Sequence, residues 1–236
     1  VVLIVYSFNR DGVGGFPPQH LTLDWYRTLF DDSAMGSAVA NSAIVAISTV
    51  VLSMLIGFPA AYALDRYSFP GKGAFQRLVL LPLIVPGVIT GISLLILTVS
   101  TGFHLSLITV ILGHATALTA VATTEIFAGL SKLDRSLEEA SADLGATRLQ
   151  TMMRIVLPGL STSLLGTALL VFTLSMDEIA VTFFLIGREN TLPLEIWSRL
   201  RRGATPEMNA IATLIFLFSA LTIFLSQWLT RDNETV

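Results

Sequence analysis

The sequence predicts an all-α protein, a polytopic bundle of transmembrane helices, on three observations. Of its 236 residues, 53% are hydrophobic and only 13% are charged, against about 25% charged in a soluble domain. The charges gather between apolar runs, and most of those runs reach the length of about 20 residues that a helix needs to cross a bilayer. The intervals between them are polar and rich in turn formers.

The first run, Val1-Val2-Leu3-Ile4-Val5, is too short to span. It is expected to be the tail of a span that begins before this sequence, and it lacks the basic start of a signal peptide. Residues 9–33 read as a loop with Gly14-Gly15 and Pro17-Pro18, and Trp25 and Tyr26 suit a membrane interface. Five complete spans are expected, at about 37–64, 75–100, 105–130, 160–186 and 209–229. Pro82 and Pro86 fall in the second of these and predict a kink, because proline removes a backbone donor and crowds the preceding turn. The break at 65–73 is short and basic. Longer polar intervals cover 131–154 and 187–207, and the tail is short and polar. Residues 1–236 therefore read as a single transmembrane domain of six spans, the first truncated, with no second soluble domain.

Charge and composition narrow the function. A net charge of −3 gives no basic footprint for nucleic acid, and the absence of cysteine excludes disulfides and thiolate metal sites. Of the 14 Lys and Arg residues, eight fall in one alternate set of loops and six in the other. That slight bias favours a cytoplasmic 131–154 segment, with 187–207 outside.

The 131–154 segment reads as two short helices joined by a glycine. Ser136 with Glu139 has capping-box spacing, and Thr147 with Gln150 repeats it. Leu133, Leu137, Ala140 and Leu144 recur at helical spacing. Gly145 stands where a helix ends with positive φ. An amphipathic helix on a loop can seat in a partner's groove.

Glu139-Ala140-Ser141-Ala142-Asp143-Leu144-Gly145, nine residues, then Ile155-Val156-Leu157-Pro158 resembles the EAA loop of ABC importer permeases. The family pattern is Glu-Ala-Ala, three residues, Gly, nine residues and Ile-x-Leu-Pro; this sequence departs from it at Ser141, a small residue for a small one. The bland alternative is a pair of capped surface helices, with Glu139 only a cap. Across the chain, Tyr6-Ser7-Phe8-Asn9, Phe172 through Glu178, Leu192 through Trp197 and Pro206 through Thr213 are similar to the second permease of spermidine/putrescine-type importers. The resemblance implies a type I importer fold in the bacterial inner membrane, surrounded by lipid. It implies a second permease subunit, two ATPase subunits holding ATP and Mg, and an extracytoplasmic solute-binding protein. Glu139, Ala140, Ser141, Asp143, Leu144 and Gly145 would then couple this chain to the ATPase. The implied solute is a polyamine such as spermidine or putrescine; related permeases serve phosphonates, iron, thiamine or opine-like compounds.

Other motifs are absent. No Gly-x-x-x-x-Gly-Lys-Ser/Thr phosphate loop occurs, since Gly71-Lys72-Gly73 lacks its frame, so this chain is expected to hold no ATP and to be no enzyme. His20, His104 and His114 lack metal-ligand spacing, and no Gly-x-Ser-x-Gly elbow is present. Asp177 and Glu178 lie inside the 160–186 run. At about 1.5 Å per helical residue, Asp177 is roughly 15 Å from the outer end, near the middle of a core about 30 Å thick. Acids there avoid lipid. They would line a pathway for a cation, or else bind a helix end, pair with an arginine of a partner, or hold protons. Glu125, near the cytoplasmic end of its span, is expected to be structural. Arg199, Arg201 and Arg202 would repel a polyamine and suit docking or loop packing. An ion-coupled transporter or channel could also use intramembrane acids, but the EAA-like loop argues against it.

Overall fold

The computed structural model describes residues 2–10, 20–203, 207–214 and 216–217. Helices make up its framework: α1 (Val2–Tyr6), α2 (Asp24–Asp31), α3 (Ser33–Arg66), α4 (Lys72–Ile84), α5 (Gly87–Ser100) and α6 (Leu107–Leu130). They continue with α7 (Ser136–Asp143), α8 (Arg148–Thr151), a π-helical turn (Met152–Val156), α9 (Leu157–Gly159), α10 (Ser161–Met176), α11 (Ala180–Leu185) and α12 (Leu192–Arg202). Only an isolated antiparallel bridge, Asn9 with Leu21, interrupts the helical pattern among the described residues. Within them, α3 and α6 are long and apolar enough to cross a membrane, and the number rises to four if each of two bent helix pairs is one span. Most of the expected 209–229 span, and the Gly14-Gly15 and Pro17-Pro18 loop, lie outside the described residues.

The chain forms two compact units. In the larger, Val39–Leu194, α6 is the hub on which α4, α10 and α11 pack. Ile126 and Leu130 are fully buried in one cluster with Ala61, Ala122, Val156, Leu160 and Val171. Val45, Val110, Val181 and Leu185 form a second cluster. In lipid, apolar side chains gain little by leaving the solvent, so helices associate through close backbone approach at small residues. Gly57 of α3 supplies one such contact: a Cβ there would lie 3.0 Å from Ala122 Cβ and 3.1 Å from Thr123 N.

Two of the expected spans, 75–100 and 160–186, are interrupted. The 75–100 run bends by 103° between α4 and α5. Val85 is extended, with φ −79 and ψ 126, because Pro86 disfavours helical geometry in the residue before it. Pro82 stays inside α4. The expected continuous helix over 160–186 is corrected: α10 stops at Met176, α11 starts at Ala180, and both acids lie in the gap. Counting helical rise from Gly187 to Asp177 therefore does not measure depth.

The smaller unit comprises Val1–Ala38 and Glu195–Val236. Trp25 Nε1 donates to the Asn9 carbonyl at 2.8 Å, and Ser7 Oγ lies 2.7 Å from the Tyr26 hydroxyl. The polar 187–207 interval holds α12, with Glu195 in the first turn and Arg199, Arg201 and Arg202 in the last, the arrangement a helix dipole favours. Arg199 pairs with Asp32 at 2.6 Å and with Glu195 at 2.8 Å, so it serves packing.

Asp32 also caps α3, accepting the N–H groups of Ala34 and Met35 at 2.9 and 3.2 Å. Burial pushes its carboxyl up, but the bonds from Arg199 and the two N–H groups, with the guanidinium charge, outweigh that and hold it below the ordinary 3.8. A depressed carboxyl stabilises the fold above its unfolded pKa and loses that contribution as pH falls through the folded value. Asp32→Asn keeps a capping oxygen and removes the charge. Its melting temperature is expected to be lower than that of the unmodified assembled protein at pH 7, and the gap to close as pH falls below 3.8. A gap constant between pH 7 and about pH 3 contradicts the linkage.

Candidate functional site

Two places in the larger unit have chemistry that the bundle itself does not require. The first is the segment built on α7 and α8. α7 ends in a Schellman turn: Gly145 N–H reaches the Ala142 carbonyl at 2.9 Å, Ala146 N–H reaches the Ser141 carbonyl at 3.1 Å, and Gly145 has φ +80. Thr147 then caps α8, its hydroxyl accepting the Gln150 N–H at 3.3 Å, while Gln150 Oε1 accepts the Thr147 N–H at 2.8 Å. Ser141, where the EAA pattern has alanine, is buried and lies 2.9 Å from Thr151 Oγ1. That hydroxyl pair ties α7 to α8, a bond alanine could not make.

The start of α7 differs from the expected capping box. Asp134 Oδ1 accepts the Ser136 N–H at 2.9 Å, and neither Ser136 nor Glu139 caps the helix with its side chain. The hydrogen bonds from Ser136 hold the Asp134 carboxyl below its usual value. Glu138, which the spacing did not single out, anchors the segment. It accepts from Arg66 at 2.7 Å and from the Tyr62 hydroxyl at 3.1 Å. Arg66 also pairs with Asp65, whose carbonyl accepts from Arg135 at 2.8 Å. The signal available in the sequence was the Asp65-Arg66 pair at the end of α3, which needs oppositely charged neighbours once it is buried.

Anchored on that side, the segment presents a face that this chain leaves uncovered. Leu133 turns inward against the core, but Leu137 and Leu144 are exposed, Leu144 at 89%. Leu137, Ala140, Leu144, Ala146 and Ile155 line a largely apolar groove with Gln150 and Arg154 at its edge. Glu139 and Asp143 are exposed as well, and Glu139 borders a second groove beside Arg148. Of the residues read as coupling positions, Ala140 and Leu144 line the apolar groove with the buried Ser141 at its wall, Glu139 borders the second groove, and Asp143 and Gly145 are exposed.

The second place is the α10–α11 break. Asp177 and Glu178 are adjacent but differ in role. Glu178 Oε1 accepts the Val181 N–H at 2.8 Å, which places its charge at the start of α11 and complements the helix dipole there. Asp177 is exposed, and its carboxylate has no hydrogen bond or ion pair among the described residues. The neighbouring α4–α5 break approaches the same point, since a Cβ on Gly87 would lie 3.3 Å from Ala180 Cβ and 3.9 Å from Glu178 Oε1. Two interrupted helices meet around one capped acid and one free acid. Glu125 is exposed on α6, in a groove with Lys132 and Thr162. No cluster of metal-ligating side chains occurs among the described residues.

Comparison with known proteins identifies the family and the fold. The family described as binding-protein-dependent transport system inner membrane component matches residues 53–233. The spermidine/putrescine transport system permease protein PotC of Haemophilus influenzae is 33% identical over 235 residues, covering 99% of this chain and 91% of the relative. The putrescine transport system permease protein PotI of Escherichia coli is 36% identical over 246 residues, covering 99% and 86%. Among solved structures, a chain of a bacterial ABC transporter involved in the import of the acidic polysaccharide alginate superposes with a TM-score of 0.72 at 16% identity, covering 95% of this chain and 88% of that one. A chain of the MetNI methionine ABC transporter gives 0.64 at 18% identity, covering 84% and 95%. At such identities the structural likeness establishes the fold.

Proposed function

The chain belongs to the family of binding-protein-dependent transport system inner membrane components, and on that footing we propose that it is the permease subunit forming half of an importer's pathway for a polyamine. The observation that carries the solute class is the end-to-end similarity to two permeases named for spermidine and putrescine transport. The unpaired, exposed Asp177 supports it, because a free carboxylate where two broken helices meet suits a cationic solute reached through water.

In this reading the protein sits in the bacterial inner membrane with 131–154 on the cytoplasmic side. The exposed face of Leu137, Ala140 and Leu144, with Glu139, Asp143 and Gly145 around it, seats against a partner ATPase subunit. ATP and Mg belong to that partner. A second permease completes the pathway, and an extracytoplasmic binding protein delivers the solute. This chain's own contribution is mechanical and electrostatic. Its short helices receive the partner's motion, the Asp65–Arg66–Glu138 network passes it to the end of α3, and Asp177 attracts the positive solute past the bends.

Assembly tests the proposal. Proteoliposomes containing this chain, its partner permease and the ATPase subunits are expected to take up labelled putrescine or spermidine only with internal ATP and external binding protein. Omission of any one component should reduce uptake to background. Uptake by this chain alone, or a binding protein that captures only anionic or neutral solutes, overturns it.

A further inference from the structure

α11 is six residues long, too short to persist as a helix unaided. α6 holds it at both ends. The Thr109 hydroxyl lies 2.8 Å from the Leu185 carbonyl at the end of α11, and His114 Nε2 lies 2.8 Å from Thr182 Oγ1 in its first turn. The other ring nitrogen, Nδ1, lies 2.8 Å from Ser175 Oγ in the last turn of α10. One imidazole, 2% exposed, therefore bridges the two helix ends on either side of Asp177 and Glu178.

The direction of these bonds follows from the donors available. The Thr182 hydroxyl donates to the Glu178 carbonyl at 2.9 Å, so toward the ring it accepts. Nε2 then has the proton and donates to Thr182, and a neutral ring in that tautomer accepts at Nδ1 from the Ser175 hydroxyl. The resulting relay runs from Ser175 O–H to Nδ1, from Nε2–H to Thr182, and from Thr182 O–H to the Glu178 carbonyl. Glu178 is held at a second atom by the Val181 N–H. With Glu178 held at its carbonyl and its carboxylate, the direction of the preceding Asp177 is set.

We propose that His114 is a positioning residue for the pathway acids: through Ser175 and Thr182 it holds the α10–α11 break in the geometry that turns Glu178 onto α11 and leaves Asp177 exposed. The inference rests on the reading of Asp177 as pathway-facing. It differs from ordinary buried packing in depending on a donor at one ring position, Nε2. A glutamine at 114 can place an amide N–H near Thr182. An asparagine is one carbon shorter and reaches only the Nδ1 position.

The chain has no cysteine, so Asp177→Cys installs a single thiol whose labelling is read on this chain alone. The assembled transporter in membrane vesicles is treated with a cationic methanethiosulfonate, in backgrounds with His114, His114→Gln, His114→Asn and Thr182→Val. The expected result is labelling within about twofold of the His114 rate for Gln, and a change of about fivefold or more for Asn and for Thr182→Val. Equal rates in all four backgrounds, or Asn matching Gln, overturn the positioning role and leave the pathway reading intact. Loss of the assembled complex in the Asn and Val variants makes His114 a folding residue only and also overturns it. Absence of labelling at position 177 even with His114 overturns the pathway reading, and this inference with it.

Discussion

Gly145→Val is expected to abolish solute-stimulated ATP hydrolysis by the assembled transporter while the chain still inserts and assembles. The obstacle is not space, since a Cβ at Gly145 would meet nothing within 4 Å. It is the backbone: φ +80 is left-handed, which costs an ordinary residue about 1–2 kcal/mol and a β-branched one more. A valine escapes that strain by unwinding the turn, and the two Schellman bonds to Ala142 and Ser141 go with it. α7 would then lose its fixed angle to α8, and Leu144 and Ala140 would leave the face they share. The buried clusters around Ile126 and Val181 lie elsewhere, so insertion persists. Gly145→Asn is the control, because asparagine tolerates left-handed geometry, and it should retain most of the stimulation. Normal stimulated hydrolysis in a correctly inserted Val variant removes the coupling role from this turn.

How much of this was legible beforehand depended on whether a local rule or a tertiary contact decided the outcome. The spans at 37–64 and 105–130 match α3 and α6 to within four residues at every boundary, because a long apolar run in lipid has few options but helix. Gly145 and the Thr147–Gln150 box were equally plain, since both are local hydrogen-bonding devices. The start of α7 was ambiguous, as Asp134 and Ser136 are both good caps and only the folded backbone decides between them. Glu138 and Glu139 are neighbours with opposite fates. The family pattern singles out Glu139, whereas Arg66 and Tyr62, more than 70 positions away, select Glu138 as the anchor. The break at Asp177 was hidden for the same reason. Hydropathy sees one apolar run with two acids in it, and nothing in the run reveals that His114 and Thr109 on another helix can secure a detached final turn.

That break separates two acids which looked equivalent, and it sets the remaining expectation. Asp177→Asn should lower polyamine uptake about tenfold to a hundredfold at full yield of assembled complex, without weakening capture by the binding protein. Unit charges 4 Å apart attract by about 4 kcal/mol at an effective dielectric near 20. Desolvation offsets part of that, and a net loss of about 1–3 kcal/mol corresponds to the stated range at about 1.4 kcal/mol per tenfold. Glu178→Gln should do far less, because the carboxylate already caps α11 and a glutamine oxygen can still accept the Val181 N–H at 2.8 Å. Glu178→Ala removes the cap and should reduce complex yield, a cost of about 1 kcal/mol. Uptake and yield are therefore measured together for all three. An Asp177→Asn protein with unchanged uptake takes the solute site away from this acid. Equal losses of uptake at full yield in Asp177→Asn and Glu178→Gln mean that the cap does not shield Glu178, and that both charges face the solute.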